Sequence, residues 1–155
     1  MKYTRLTKEQ LEELHPEFIT FLASQSIDKA AWDELKQNHP DTAEHQLDVF
    51  SDLIWDSVLE KAQWLEHYSK NHIFLFKISP EGMESIVIHA HTPTADFLTE
   101  GGLQWLNENI FSSEVQLSRG KKDFTEDRKQ YLFGLIEQGA ILSEGVLYQQ
   151  LEDMF

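Results

Sequence analysis

The amino-acid sequence predicts an α+β fold in which helices dominate and a small antiparallel sheet is built around one β-hairpin. Two observations lead to this prediction. Most of the chain places apolar residues at helical spacing behind capping residues, whereas residues 72–91 change to β-branched and aromatic runs of strand length. With 155 residues, of which 41% are apolar, the chain is long enough to bury one core, so we predict a single domain over residues 1–155.

The first forty residues predict three short helices, each with its own start or stop signal. Residues 7–10 form a capping box that opens the first helix. Pro16 then either restarts the helix as a first-turn residue or kinks it. Asp28 is placed to cap another short helix, which residues 38–40 close with a proline.

The longest helix is predicted from about Thr42 to Tyr68. Asp41 and Glu44 have the spacing of a second capping box at its start. Its broad apolar face, which we expect to organise the core, consists of Leu47, Phe50, Leu53, Ile54, Val58, Ala62 and Leu65.

The hairpin is predicted from two apolar runs, His72–Ile78 and Ser85–His91. The segment between them supplies proline and glycine in turn order. If Ser79 faces Glu84 across a four-residue loop, the numbers of paired residues sum to 163. Residues 113–118 alternate and predict a third strand.

The remainder of the chain predicts three helices. One runs from about Glu100 to Asn109. Asp123 and Glu126 form a capping box for the next, which Gly139 ends, and Ser143 is placed to cap the last.

Composition excludes several classes of function. The formal net charge is −14, from 27 acidic and 13 basic residues, and such a field repels phosphate backbones and anionic membranes. We therefore expect neither nucleic acid nor membrane as a partner. The absence of cysteine excludes disulfides and thiolate chemistry. With no apolar signal core or membrane-length run, the sequence predicts a soluble cytoplasmic protein.

Five acidic residues follow one another at four-residue spacing along the long helix, and we call them the acidic ridge. At this spacing each carboxylate lies one turn beyond the last. We predict that the ridge faces water or another protein with a basic surface, and that it matters for partners more than for folding. The oligomeric state stays open. The ridge consists of Glu44, Asp48, Asp52, Asp56 and Glu60.

Three hairpin histidines are the best chemical candidates. With a pairing sum of 163, His72 lies opposite His91 and Phe74 opposite His89, all on one face of the sheet. Three imidazoles so placed can hold zinc with an open fourth position. A register shift of one residue separates them, and exposed histidines are common at strand ends. The structural interpretation is therefore favoured over a zinc site, and no other cofactor is predicted.

Other chemical motifs are incomplete. The chain has no Gly-x-Ser-x-Gly elbow, and the Glu-x-x-His unit at Glu12 and His15 has no second copy. Residues 99–102 lack the phosphate-loop lysine, and acidic neighbours dilute the basic residues 119–122. No catalytic residue is predicted.

Three segments resemble a known family: Leu6–Leu14 (LTKEQLEEL), Asp48–Trp55 (DVFSDLIW) and Leu65–His72 (LEHYSKNH). Along nearly its full length the chain resembles a family of short, uncharacterised bacterial proteins, a domain of unknown function. This resemblance implies a bacterial cytoplasmic protein and brings no reaction, cofactor or catalytic residue.

Two functions follow as hypotheses. The leading one is a non-catalytic interaction module that binds another protein through the acidic ridge or an adjoining apolar groove. The alternative is a small metal-dependent hydrolase with His72, His89 and His91 as ligands and a carboxylate of the long helix as general base.

Overall fold

A computed structural model describes all 155 residues and confirms the α+β class, with seven helices and one antiparallel sheet of five strands. The residues group into two compact units, Met1–Glu60 and Lys61–Phe155. Each unit is described by itself below, and the number of domains stays a prediction. None of the seven helices is both long and apolar enough to cross a bilayer.

The first unit is helical. Its helices are α1 (Lys8–Glu13), α2 (His15–Ala23), α3 (Lys29–Asn38) and α4 (Pro40–Lys61). Thr7 and Gln10 form the predicted capping box, and Asp28 Oδ1 accepts the N–H of Ala31 at 2.8 Å. Pro16 lies in the first turn of α2, so it restarts the helix rather than kinking it.

The predicted bounds of the long helix were wrong at both ends. Helix α4 begins at Pro40, because proline fits the first helical turn, so the capping box of Asp41 and Glu44 does not form. It ends at Lys61, and Trp64–Tyr68 is a strand, β1, that pairs with strands on both sides. Hydrogen bonds to two neighbouring strands outweigh a helical pattern that has no local stop signal.

The core of the first unit is an aromatic cluster. Phe18 of α2 contacts the rings of Trp32 and Phe50 edge-on, at 5.2 and 5.0 Å between centroids. Leu6 and Leu22 are buried beside them. Phe50 is 2% exposed as predicted, but Leu53 is 51% exposed, so its assignment to the core face was wrong.

The second unit contains the sheet, with strand order β4-β3-β2-β1-β5. The further strands are β2 (His72–Ile78), β3 (Gly82–Ala90), β4 (Val115–Asp123) and β5 (Ile141–Leu142). The helices are α5 (Glu100–Asn109), α6 (Arg128–Glu137) and α7 (Val146–Glu152). The hairpin, the third strand and the bounds of α5 were predicted, whereas β5 was not.

The caps of the last two helices differ from the prediction. Asp123 lies in β4, which runs further than expected, and Asp127 caps α6 by accepting the N–H of Gln130 at 3.1 Å. Gly145, in the left-handed region at φ 72°, is the N-cap of α7, and Ser143 Oγ accepts its N–H at 2.9 Å. The predicted serine therefore lies two residues before the N-cap and accepts the N–H of the N-cap residue.

The hairpin is tighter than predicted. His72 pairs with His89, so paired numbers sum to 161, and only Pro80 and Glu81 lie between Ser79 and Gly82. The Ser79 hydroxyl accepts the N–H of Gly82 at 3.2 Å, which holds the short turn. Because 161 and 163 are both odd, every residue keeps its predicted face although its partner changes.

The two faces of the sheet are unequally covered. Ile73, Leu75, Ile86 and Ile88 are fully buried on one face, where they join α5 and α7 in the core of the second unit. The opposite face carries half-buried histidine and phenylalanine side chains. In the hairpin centre the sheet is therefore completely buried on one face and half-buried on the other.

Candidate functional site

The acidic ridge lies along α4, and four of its five carboxylates bind residues 2–6, which we call the N-terminal strap. Strap and ridge are about fifty positions apart in the sequence, as the pair Lys2–Asp52 illustrates. Glu60 lies exposed in the last turn of the helix. The cationic groups that contact the ridge belong to the same chain, and binding of another protein to the ridge stays a prediction.

Asp52 binds the backbone of the strap. Its Oδ2 accepts the N–H of Lys2 at 2.8 Å, and its Oδ1 accepts the N–H of Tyr3 at 3.1 Å. Two successive N–H groups reach one carboxylate only where the backbone bends, and the strap bends at Tyr3. Hydrogen bonds to an ionised carboxylate are the stronger kind, so Asp52 fixes where the strap lies.

Asp56 and the residues before Asp52 bind strap side chains. Asp56 accepts from Lys2 Nζ at 3.1 Å and from the Tyr3 hydroxyl at 2.6 Å. Arg5 Nε donates to Asp48 Oδ1 at 2.7 Å, and the same guanidinium binds the Glu44 carboxylate. These hydrogen bonds, first to Asp48 and then to Glu44, raise the pKa of Arg5.

Ser51 is a residue of the strap contact that the sequence interpretation missed. It is 0% exposed, and its hydroxyl accepts the N–H of Leu6 at 3.1 Å, just where the strap enters the core of the unit. A serine between Asp48 and Asp52 on an otherwise apolar side of the helix was the available signal. The ridge and Ser51 together hold a strap that carries two cationic side chains, Lys2 and Arg5.

The hairpin histidines do come together on one face. The rings of His72 and His89 stack in parallel, with centroids 4.1 Å apart and an interplanar angle of 5°. His91, just beyond β3, contacts His89 edge-on at 4.7 Å. Burial, and secondarily His72 and His91, lower the pKa of His89, so the cluster favours neutral imidazole at that position.

The stacked arrangement differs from a metal centre. An imidazole binds a metal through a lone pair in its own plane, so two parallel rings in separate planes do not share one ion. No group of three or more histidine, aspartate or glutamate side chains has the placement needed to hold a metal. The alternative in which His72, His89 and His91 converge on zinc is therefore not found in this arrangement, and zinc binding in solution is untested.

The remaining motifs have ordinary structural roles. Thr99 Oγ1 accepts the N–H of Gly102 at 3.0 Å and so caps α5. The basic residues 119–122 lie in β4, at an edge of the sheet, where charged side chains discourage pairing with other chains. Glu12 and His15 belong to separate helices.

One family of known proteins matches the chain. The family is described as a family of unknown function, DUF6495, and the match covers residues 1–155. No curated protein and no solved structure matches significantly. Because the match spans the whole chain, the protein belongs to the DUF6495 family.

Proposed function

We propose that the protein is a non-catalytic interaction module whose acidic ridge binds a basic segment of another protein. The observation that supports this most is the pair of hydrogen bonds from consecutive backbone N–H groups of the strap to Asp52. Backbone recognition by one carboxylate, with lysine and arginine read by its neighbours, is a mode of peptide binding. The strap then acts as a ligand supplied by the chain itself.

The ion pairs of the strap hold it only weakly on the ridge, which favours exchange of its side chains for those of a partner. These ion pairs are partly solvated, with the side chains of Lys2 and Arg5 63% and 38% exposed. Such pairs contribute about 0–1 kcal/mol each, and salt weakens them. A partner has to overcome the high effective concentration of a tethered strap, so we expect it to offer more cationic contacts than the strap does.

The proposal also concerns compartment and chemistry. We propose that the module acts in the bacterial cytoplasm, as the cysteine-free composition and the family resemblance suggested. We do not propose the metal-dependent hydrolase, because the stacked histidines give it no geometric support.

Peptide binding tests the proposal. A labelled peptide with the strap sequence Lys2–Leu6 should bind the Lys2→Ala/Arg5→Ala variant, whose own strap is weakened, more tightly than it binds the unaltered protein. Adding Asp52→Ala should abolish this binding, and high salt should weaken it. Glu9→Gln, an exposed acidic residue of α1 outside the ridge, is the matched control and should have no effect.

Two results would count against the proposal. One is failure of the strap peptide to bind the weakened-strap variant at low salt. The other is equal binding of a peptide in which lysine and arginine are replaced by glutamine. Either result would mean that the strap is a permanent part of the fold and does not exchange with a partner.

A further inference from the structure

The strap crosses the ridge in a defined direction, antiparallel to α4. Lys2 and Tyr3 bind Asp56, which lies in the second half of the helix. Arg5 binds Glu44, which lies near the beginning of the same helix. A segment bound in the opposite direction would place its arginine at Asp56 and its tyrosine at Glu44. The contacts therefore specify an order of side chains as well as a positive charge.

The position of Arg5 favours arginine over lysine. Its Nε and Nη2 atoms each lie 2.7 Å from Asp48 Oδ1, and its Nη1 atom binds the Glu44 carboxylate. Three nitrogen atoms of one planar group therefore bridge two carboxylates. A lysine ammonium is a single nitrogen on a flexible stem, so it does not bridge them in this way.

The position of Tyr3 favours a residue with a hydroxyl group. The hydroxyl donates to Asp56 Oδ1 at 2.6 Å, a distance usual for a hydroxyl bound to an ionised carboxylate. The Asp56 side chain is 26% exposed, so water has limited access to replace this hydrogen bond. Phenylalanine would remove the donor, and proline would remove the N–H that binds Asp52.

The position of Leu6 is an apolar anchor. Leu6 is 7% exposed and belongs to the same buried cluster as Phe18 and Phe50. A partner that replaces the strap has to fill this place, because an empty one leaves a cavity in the core. Thr4, in contrast, is exposed, so we expect its position to accept most side chains.

We infer that the partner segment carries a basic residue, tyrosine, any residue, arginine and an apolar residue in this order, and that it binds antiparallel to α4. The inference rests on the proposed function and adds the order of side chains to it. A polycationic segment without this order offers charge, but neither the hydroxyl for Asp56 nor the apolar anchor. The strap of a second copy has the same order, but two molecules of net charge −14 repel each other.

Peptide affinities for the Lys2→Ala/Arg5→Ala variant of the full chain test this order. All peptides are acetylated and amidated at their ends, so the first residue keeps an amide N–H and no terminal charge is added. The strap peptide Lys2–Leu6 should bind about tenfold or more tighter than a peptide of the same composition in reversed order.

Single changes in the peptide then test each position on the same folded protein. Tyr3→Phe, Arg5→Lys and Leu6→Ser in the peptide should each weaken binding by about fivefold or more. Thr4→Ala in the peptide is the matched control and should change the affinity by less than about twofold.

Paired changes in peptide and protein identify which groups meet. Arg5→Lys in the peptide should lose most of its effect once the protein carries Asp48→Asn, a change of nearly equal shape. Tyr3→Phe in the peptide should lose its effect with Asp56→Asn and keep it with Asp48→Asn. The opposite pairing would mean that the segment binds in the other direction, which would overturn the inference.

The outcomes separate this inference from the proposed function. Equal affinities of the forward and reversed peptides would overturn the inference, and the ridge would then bind basic segments whatever their order. Failure of every peptide to bind would overturn both. Light scattering that shows a dimer of the unaltered protein, lost in Lys2→Ala/Arg5→Ala, would identify a second copy as the occupant and overturn the choice of another protein.

Discussion

At the scale of single residues, we expect a buried polar group to contribute more to the free energy of unfolding than the exposed charges do. Ser51 has no contact with water, and its hydroxyl is the hydrogen-bond acceptor for the Leu6 N–H. The ridge carboxylates on either side of it are partly solvated. We therefore revise the expectation that the ridge matters little for folding, because Asp52 also binds two backbone N–H groups.

Ser51→Ala should lower the free energy of unfolding by about 1–3 kcal/mol, since it leaves the Leu6 N–H buried without an acceptor. Ser57→Ala, an exposed serine on the same helix, should change it by less than about 0.5 kcal/mol. Urea denaturation of both variants measures the difference. Equal stabilities would mean that water replaces the Ser51 hydroxyl.

His89 should make stability depend on pH. Its pKa is lowered in the folded state, so below its ordinary pKa of about 6.5 the unfolded chain binds the proton more readily. The stability that neutral His89 contributes is fully present above about pH 6.5. It is lost as the pH falls through the pKa of His89 in the folded protein. His89→Gln should therefore lose less stability than the unaltered protein between about pH 7 and 5.5. Parallel melting curves of the two proteins over this range would contradict the prediction.

At the scale of elements, two adjacent glycines of α5 have different reasons to be glycine. A Cβ on Gly102 would lie 1.7 Å from the carbonyl oxygen of Asp96, whereas a Cβ on Gly101 would meet nothing within 4 Å. The backbone packs against Gly102, and Gly101 faces open space. Helix propensity alone gives both positions the same preference for alanine.

Gly101→Ala should stabilise the protein by about 0.4–1 kcal/mol, because alanine loses less backbone entropy in a helix. Gly102→Ala should destabilise it by at least about 1–3 kcal/mol, because the segment at Asp96 must move. Thermal melts of the pair provide the measurement. Stabilisation by Gly102→Ala would show that this segment shifts without cost.

Helix α4 offers a second matched pair. Phe50→Ala should cost about 3–5 kcal/mol, because it removes a ring packed between α2 and α4. Leu53→Ala should be close to neutral, because this side chain is half in water. Denaturant titrations measure both costs. If Leu53→Ala proved more destabilising than Phe50→Ala, the apolar face would have been assigned to the wrong side of the helix.

At the scale of the whole molecule, we expect the net charge to determine how stability depends on salt. With 27 acidic and 13 basic residues, the folded chain has a large excess of like charge, and its six described ion pairs are all partly solvated, so we expect self-repulsion to outweigh them. Raising sodium chloride from about 10 to about 200 mM shortens the Debye length from roughly 30 Å to less than 10 Å. The melting temperature should therefore rise with salt, and a fall would mean that the ion pairs outweigh the repulsion.

The local elements could be predicted because their signals lie within a few adjacent residues. The capping box at Thr7, the cap at Asp28, the restart at Pro16 and the bounds of α5 each depend on neighbours in sequence. The two odd pairing sums gave the same face for the hairpin histidines, so their clustering was predictable as well.

By itself the sequence determined the α+β class, most helix starts, the hairpin and the acidic character of the surface. The tertiary structure alone decided that Trp64–Tyr68 is a strand, that the histidines stack and that the strap covers the ridge. Two of these features depend on partners far away in sequence: β1 pairs with β5 as well as with the adjacent β2, and Asp56 meets Lys2 across 54 positions. Contacts of this kind form only when folding brings both partners together. The local sequence pattern of one segment does not identify the segment with which it pairs.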